Sequence, residues 1–180
     1  MTLDRIDLEI IAALQKNARL SNKELAARAG LAPSSCHARV RALTRAGVLA
    51  GYHAQVTTGA LGVTLEALVA VRMVKHSQGA FRALYDHMQS LEEVLAIYHV
   101  SGVNDLQVHV AVRDIRHLRD LIVERFANRP EVDHCETAVI YDLFQKYALP
   151  CYLPAPKPPG AGKGESRSNA PRRRRGGTRR

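Results

Sequence analysis

Apolar positions change period once along this chain, and the change divides it in two. Leu3, Ile6, Ile10, Ala13 and Leu14 recur at steps of three and four, which predicts an amphipathic helix ending near Asn17. In "SNKE", Ser21 can accept from the N–H three residues on while Glu24 reaches back, a capping box that opens a short second helix. Its apolar residues are Leu25, Ala26 and Ala29, and Gly30 supplies a left-handed stop. Pro33 suits the first turn of a third helix. At 100° per residue Cys36, Val40 and Leu43 fall in one narrow sector, with Ser34, Ser35, Ala38, Arg41, Ala42 and Arg45 roughly opposite. After Gly47, "VLAGYHAQV" reads as a short strand, the wing of a winged helix-turn-helix, where Tyr52 and His53 either pack or touch DNA backbone.

From Leu65 the period becomes two. "LEALVAVRMV", "VLAIYHV", "DLQVHVAVR" and "VDHCETAVIYDL" predict four strands. Phe81, Leu84, Tyr85 and Met88 give one intervening helix face; Ile115, Leu118, Ile122 and Phe126 give another. The order βαββαβ predicts a four-stranded antiparallel sheet with two helices on one face, the ferredoxin-like arrangement. Leu68, Val74, Leu95 and Ile97 are expected on the other face, so a second subunit is expected to cover it. The fold class is therefore α+β. A helix-turn-helix domain spans residues 1–50, a strand or linker 51–64, the ferredoxin-like domain 65–150, and a basic tail 151–180.

Charge changes this picture at both ends. The net charge is +9. Residues 1–60 hold eight basic and four acidic residues, 61–153 nine and twelve, and 154–180 nine and one. A polyanion partner is expected for the ends and not for the centre. The tail, rich in Pro, Gly, Ser and Arg, cannot bury enough surface to offset its ordering entropy, and disorder is expected there. No apolar run reaches the length of a membrane helix, and "MTLDRIDLEI" lacks the pattern of a signal peptide. Three widely spaced cysteines, Cys36, Cys135 and Cys151, show no metal-ligand spacing. A reduced, cytoplasmic, nucleoid-associated protein with no membrane partner is expected.

The third helix carries the chemistry. A solvated face normally mixes Glu and Asp with Arg, yet no acidic residue lies between Ser34 and Val48. Small side chains first and arginines further along suit a helix laid into the major groove of duplex DNA. The candidate DNA-binding residues are Ser34, Ser35, His37, Ala38, Arg39, Arg41 and Arg45. Cys36 lies on the inward stripe, where a packing role is expected.

Residues 3–150 resemble the Lrp/AsnC (feast/famine) family of transcription regulators. "LDRIDLEIIAALQKNARLSNKELAARAGLAPSSCHARVRALTRAGVLAGY" is similar to its DNA-binding half. "YHVSGVNDLQVHVAVRD" is similar to the glycine-x-x-aspartate loop of its effector half (the ACT-like or RAM domain), and Pro130 to Val132 to the turn before the last strand. The resemblance implies homodimers built through the sheets, often assembled into octamers. It also implies an amino-acid effector bound between subunits at Ser101, Gly102, Val103, Asn104 and Asp105. Gly102 permits close backbone approach, and the Asp105 carboxylate can meet an α-ammonium group. Leu106 stands where the family usually has an aromatic residue, and Ala32 where a capping serine is common.

Two other readings compete. Some haem-pathway decarboxylases acting on tetrapyrroles resemble the same architecture, and His99 and His109 lie on predicted strands. A stand-alone amino-acid sensor would leave the basic first sixty residues idle. The chain has no H-x-x-x-H pair, CxxC or glycine-rich phosphate loop, so no catalytic residue, metal ligand or cofactor is expected.

Overall fold

The computed structural model describes residues 2–74 and 77–153. Of the basic tail expected to be disordered, residues 154–180 lie outside them. The chain divides into two compact units: one runs to Tyr52 and includes the segment from Lys146, and the other spans His53–Gln145.

The first unit is built from α1 (Arg5–Lys16), α2 (Asn22–Arg28) and α3 (Pro33–Arg45). Ile10, Leu14, Leu25, Ala26, Ala29, Cys36 and Leu43 form its buried core, with Val40 and Leu49 packed against it. Each helix starts for a visible chemical reason. Asp4 caps α1 and Asp7 returns the bond, a capping box; Ser21 and Glu24 do the same for α2. Gly30, at φ 64°, turns the chain out of α2 in the left-handed region. Pro33 starts α3, but Ala32 at the N-cap offers no side-chain bond. Asn22 Nδ2 donates instead to the Pro33 carbonyl at 2.8 Å, tying the starts of α2 and α3 together. The segment from Lys146 joins this unit, where the Leu149 N–H donates to Gln15 Oε1 at 2.7 Å.

The wing does not form. Residues 50–57 have no regular structure and are exposed throughout. "VLAGYHAQV" has strand-like composition, but a strand also needs an edge to pair with, and no other segment provides one among the described residues. A single 3-10 turn, Thr58–Leu61, precedes the sheet.

The second unit contains β1 (Leu65–Met73), α4 (Gln78–Gln89), β2 (Val94–His99), β3 (Leu106–Val112), α5 (Ile115–Leu121) and β4 (Val132–Val139). α5 widens into a π-helical turn over Ile122–Ala127 before the chain reaches β4. The sheet is antiparallel throughout, in the order β2-β3-β1-β4. This is the expected βαββαβ arrangement. Ala67, Val69, Val71 and Met73 of β1 and Leu106, Val108, Val110 and Val112 of β3 point to one side. There they meet Leu84, Met88, Leu118, Leu121 and Phe126 from the helices.

The second face is less apolar than expected. Ile97 pairs with Val108 and packs with the covered core, because a register shift between Val94 and Ala96 reverses which residues of β2 face the helices. Leu95 sits at that irregularity and Val74 lies beyond the end of β1. The open face instead presents Leu68, Ala70 and Arg72 of β1, Gln107, His109 and Ala111 of β3, and Ala96 and Tyr98 of β2. A hydrogen bond crosses it, between His109 Nε2 and Glu66 Oε2 at 2.8 Å.

Candidate DNA-binding face and effector loop

The DNA-binding candidate rests on α3. Cys36 and Leu43 are completely buried, which fixes the opposite side outward. Ser34, Ser35, His37, Ala38, Arg41 and Arg45 are exposed there. Neither Arg41 nor Arg45 meets a carboxylate among the described residues; Arg45 Nε donates only to the Arg41 carbonyl, at 3.4 Å. Two cations on a long exposed flank with no acid between them leave their charge available to phosphate or a guanine edge.

Arg39 differs from these in having carboxylate partners. Its Nη1 donates to Asp4 Oδ2 and to Asp7 Oδ1, both at 2.7 Å. Asp7 is the buried charged residue of this unit, 3% exposed. On a helical wheel Arg39 lies about 60° from the Cys36–Leu43 stripe, on its flank, whereas Arg41 and Arg45 lie across the helix. Its neighbours draw it inward. The N–H of Asp7 donating to Asp4, with the Arg39 guanidinium beside it, holds the Asp4 carboxyl below its ordinary value, and the two carboxylates push the Arg39 value up. Asp4 and Asp7 were missed as functional positions in the sequence. The available signal was an acidic residue at positions i and i+3 astride a helix start, with an arginine on the flank of a later helix.

The effector candidate lies in the β2–β3 connection. Gly102 sits at φ 129°, a conformation that side chains rarely adopt. Asp105 anchors the loop: its N–H donates to the Val71 carbonyl at 2.9 Å, and its Oδ2 accepts from the Met73 N–H at 2.7 Å. A cavity of about 260 Å³ opens beside it, lined by Met73, Ser77, Gln78, Phe81, His99 and Asp105. Of the five loop candidates only Asp105 reaches this cavity; Ser101, Gly102 and Val103 are exposed away from its lining, and Asn104 is half-buried. Phe81 and His99 were not anticipated as a pair, yet their ring centroids lie 4.6 Å apart in the cavity wall. Leu106 is completely buried in the sheet core and does not line it.

His99 and His109 do not share a site. His99 pairs with Leu106 and faces the helices, while His109 lies opposite Leu68 on the other side of the sheet. Among the described residues no cluster of three His, Cys, Asp or Glu side chains could hold a metal ion.

Comparison with known proteins agrees with this division. Residues 3–50 match the winged helix-turn-helix DNA-binding family and residues 66–147 the Lrp/AsnC ligand binding domain. The transcriptional regulator AldR of Mycolicibacterium smegmatis is 35% identical over 140 residues, 78% of this chain and 82% of its own length. This chain belongs to the Lrp/AsnC family. It is a DNA-binding transcriptional regulator with a ligand-binding domain. The leucine-responsive regulatory protein of Escherichia coli is also 35% identical over 140 residues, covering 78% of the regulator and 85% of that protein. A Neisseria meningitidis transcriptional regulator solved as its L-Met complex superposes with a TM-score of 0.77 at 25% identity, over 83% of this chain and 97% of that one. The leucine response regulatory protein of Mycobacterium tuberculosis gives 0.71 at 31% identity, over 82% and 98%. Among the described residues of the regulator, no helix is long and apolar enough to cross a membrane.

Proposed function

We propose that this regulator reads duplex DNA through the exposed side of α3, with Ser34, Ala38 and Arg41 at base edges and Ser35, His37 and Arg45 nearer the phosphates. The observation that carries this is the asymmetry of α3: a fully buried stripe on one side and, on the other, small residues and two arginines unopposed by carboxylates. The preference for DNA is tested with Arg41→Ala. Loss of a base contact lowers affinity by about 1–3 kcal/mol and changes sequence preference. A uniform loss across sequences reassigns Arg41 to a phosphate, and unchanged affinity overturns the assignment.

An amino acid bound in the cavity beside Asp105 is the effector in this proposal, and its binding changes DNA affinity or assembly. Support comes from the acidic and aromatic cavity wall, and from the L-Met complex of the Neisseria relative. Screening the twenty amino acids by melting temperature and DNA retardation tests it, since a ligand that binds only the folded state raises its melting temperature. If no amino acid acts, the regulator is effector-independent. The protein works in the cytoplasm on the cell's DNA, as a homodimer joined through the open sheet face and assembled further towards an octamer. Sedimentation over a range of concentrations measures that state. No catalytic step, metal or prosthetic group is part of the proposal. The opposite placement of His99 and His109 argues against a decarboxylase, and absence of a Soret band after incubation with tetrapyrrole is the expected result.

A further inference from the structure

One guanidinium nitrogen of Arg39 meets both halves of the capping box that starts α1. Asp4 accepts from the Asp7 N–H at 2.8 Å, Asp7 accepts from the Asp4 N–H at 3.1 Å, and Arg39 closes the pair from the recognition helix. The ring therefore joins the start of α1 to the middle of α3. Burying a carboxylate such as Asp7 is costly unless it is paired and hydrogen-bonded, so the pairing is enforced and not incidental.

The apolar contacts of α3 do not do the same job. Cys36, Val40 and Leu43 hold the helix against the core through contacts that have little directional preference. A charge-assisted bond to two fixed carboxylates is directional. Rolling the helix by about 20° moves an arginine tip about 8 Å from its axis by about 3 Å, a whole hydrogen-bond length. Simultaneous contact by Ser34, Ala38 and Arg41 therefore requires that the roll be fixed. The ion pair is placed to fix it.

We propose that Arg39 is a positioning residue: clamped by Asp4 and Asp7, it sets the roll of α3 so that the outward residues meet the bases together, and it does not itself touch DNA. This rests on the proposal that the outward side of α3 reads DNA. The two can fail separately, because Arg41→Ala tests the reading side and leaves the clamp intact.

Asp7→Asn separates positioning from simple charge. Removing a carboxylate makes the unit more cationic, which by electrostatics alone strengthens binding to any DNA. The clamp predicts the opposite for a preferred site. The full chain is assayed on a duplex that the wild-type protein has selected from a random-sequence pool, and on a random-sequence duplex, over a series of salt concentrations. Asp7→Asn and Arg39→Met are expected to lower the selected-over-random preference about tenfold. Affinity for the random duplex should follow charge alone, rising slightly in Asp7→Asn and falling slightly in Arg39→Met, while the salt slope stays at its wild-type value. Arg39→Lys keeps the charge but loses the planar guanidinium that fixes the direction of the donors, and should recover part of the preference. Thermal melting confirms folding in each case. Should Arg39→Met prove unfolded, Asp4→Asn takes its place: asparagine caps as well as aspartate, so only the ion-pair arm is lost and a smaller loss of preference is expected. Full preference in Asp7→Asn overturns the proposal, as does full preference in both Asp4→Asn and Arg39→Lys. So does a parallel loss on both duplexes with a salt slope shallower by about one in Arg39→Met, which would make Arg39 a phosphate contact. Unchanged binding in Arg41→Ala would remove the reading side on which the clamp depends.

Discussion

Two side chains with the same charge, two positions apart on α3, have different fates. Arg39 turns back to Asp4 and Asp7, while Arg41 points outward without a carboxylate partner among the described residues. Composition treats the two arginines alike; only the 200° between them on the helix, and the carboxylates waiting on one flank, tell them apart. Asp105 shows the same dependence on neighbours. Because its Oδ2 holds the Met73 N–H, Asp105→Ala would disturb the loop as well as any ligand. Asp105→Asn keeps an oxygen for that bond while removing the charge. The expected result is loss of the amino-acid response with ligand-free DNA binding and melting temperature nearly unchanged, read by thermal shift and DNA retardation. Retention of the full response would exclude an ammonium contact at Asp105. The cysteines give a prediction in pH. Burial against the sheet core pushes the Cys135 thiol from 9.0 to about 11. The folded state thus favours the neutral thiol. Its stabilising contribution is complete below pH 9.0 and is lost as pH rises from there through about 11. At pH 8, iodoacetamide should label the exposed Cys151 first and leave Cys135 and the buried Cys36 largely unmodified, as mapped by mass spectrometry. Rapid labelling of Cys135 would show that β4 opens on the timescale of the reaction.

At the scale of elements, helix starts and stops were legible because they are local chemistry. Ser21 with Glu24, Gly30 and Pro33 act within a few residues of themselves, and each appears where its type demands. Ala32 is the exception that can be repaired. It occupies the N-cap of α3 with extended backbone, φ −67° and ψ 145°, and makes no side-chain bond. Ala32→Ser should add about 0.5–2 kcal/mol to the stability of this unit, seen as a higher melting temperature in the full chain. No gain would mean that the Asn22 bond to Pro33 already holds the turn in place. Strands were legible only as far as they are paired. The alternation of β3 survives intact as Leu106, Val108, Val110 and Val112 inward. The irregularity in β2 sends Ile97 to the covered face against its expected side. The segment after Gly47 has the composition of a strand and none of the pairing. Register and pairing belong to two segments at once, and no single stretch encodes them.

For the whole molecule, charge is divided between the two ends. Residues 1–60 hold eight basic residues, three of them on α3, and nine more lie in residues 154–180. Counterion release makes log affinity for duplex DNA fall with log salt by about 0.9 per phosphate neutralised. Deleting residues 155–180 is expected to weaken binding to preferred and random DNA together and to make the salt slope shallower by several units. The preference between them should persist, because bases are read by α3. A truncated protein with the wild-type slope would leave the tail without a DNA role. Across the sheet, Leu68 and Tyr98 share the open face with Ala70, Ala96 and Ala111 and with the Glu66–His109 pair. The small residues leave this face open to close approach, and Glu66 and His109 already hydrogen-bond each other within one chain.

The sequence by itself determined the order of the main helices and sheet strands, the two-part division and the outward serines and arginines of α3. Each follows from period, capping residues or local charge, which act over one or two turns of chain. It also carried the family, through long runs that remain similar to known regulators in both halves. Tertiary structure alone decided which arginine is a clamp, which face Ile97 takes, and that Phe81 and His99 share the cavity wall with Asp105. Those outcomes join residues tens of positions apart. A guanidinium and a carboxylate attract at a few ångströms whatever their separation in sequence, and only the packed fold sets that distance.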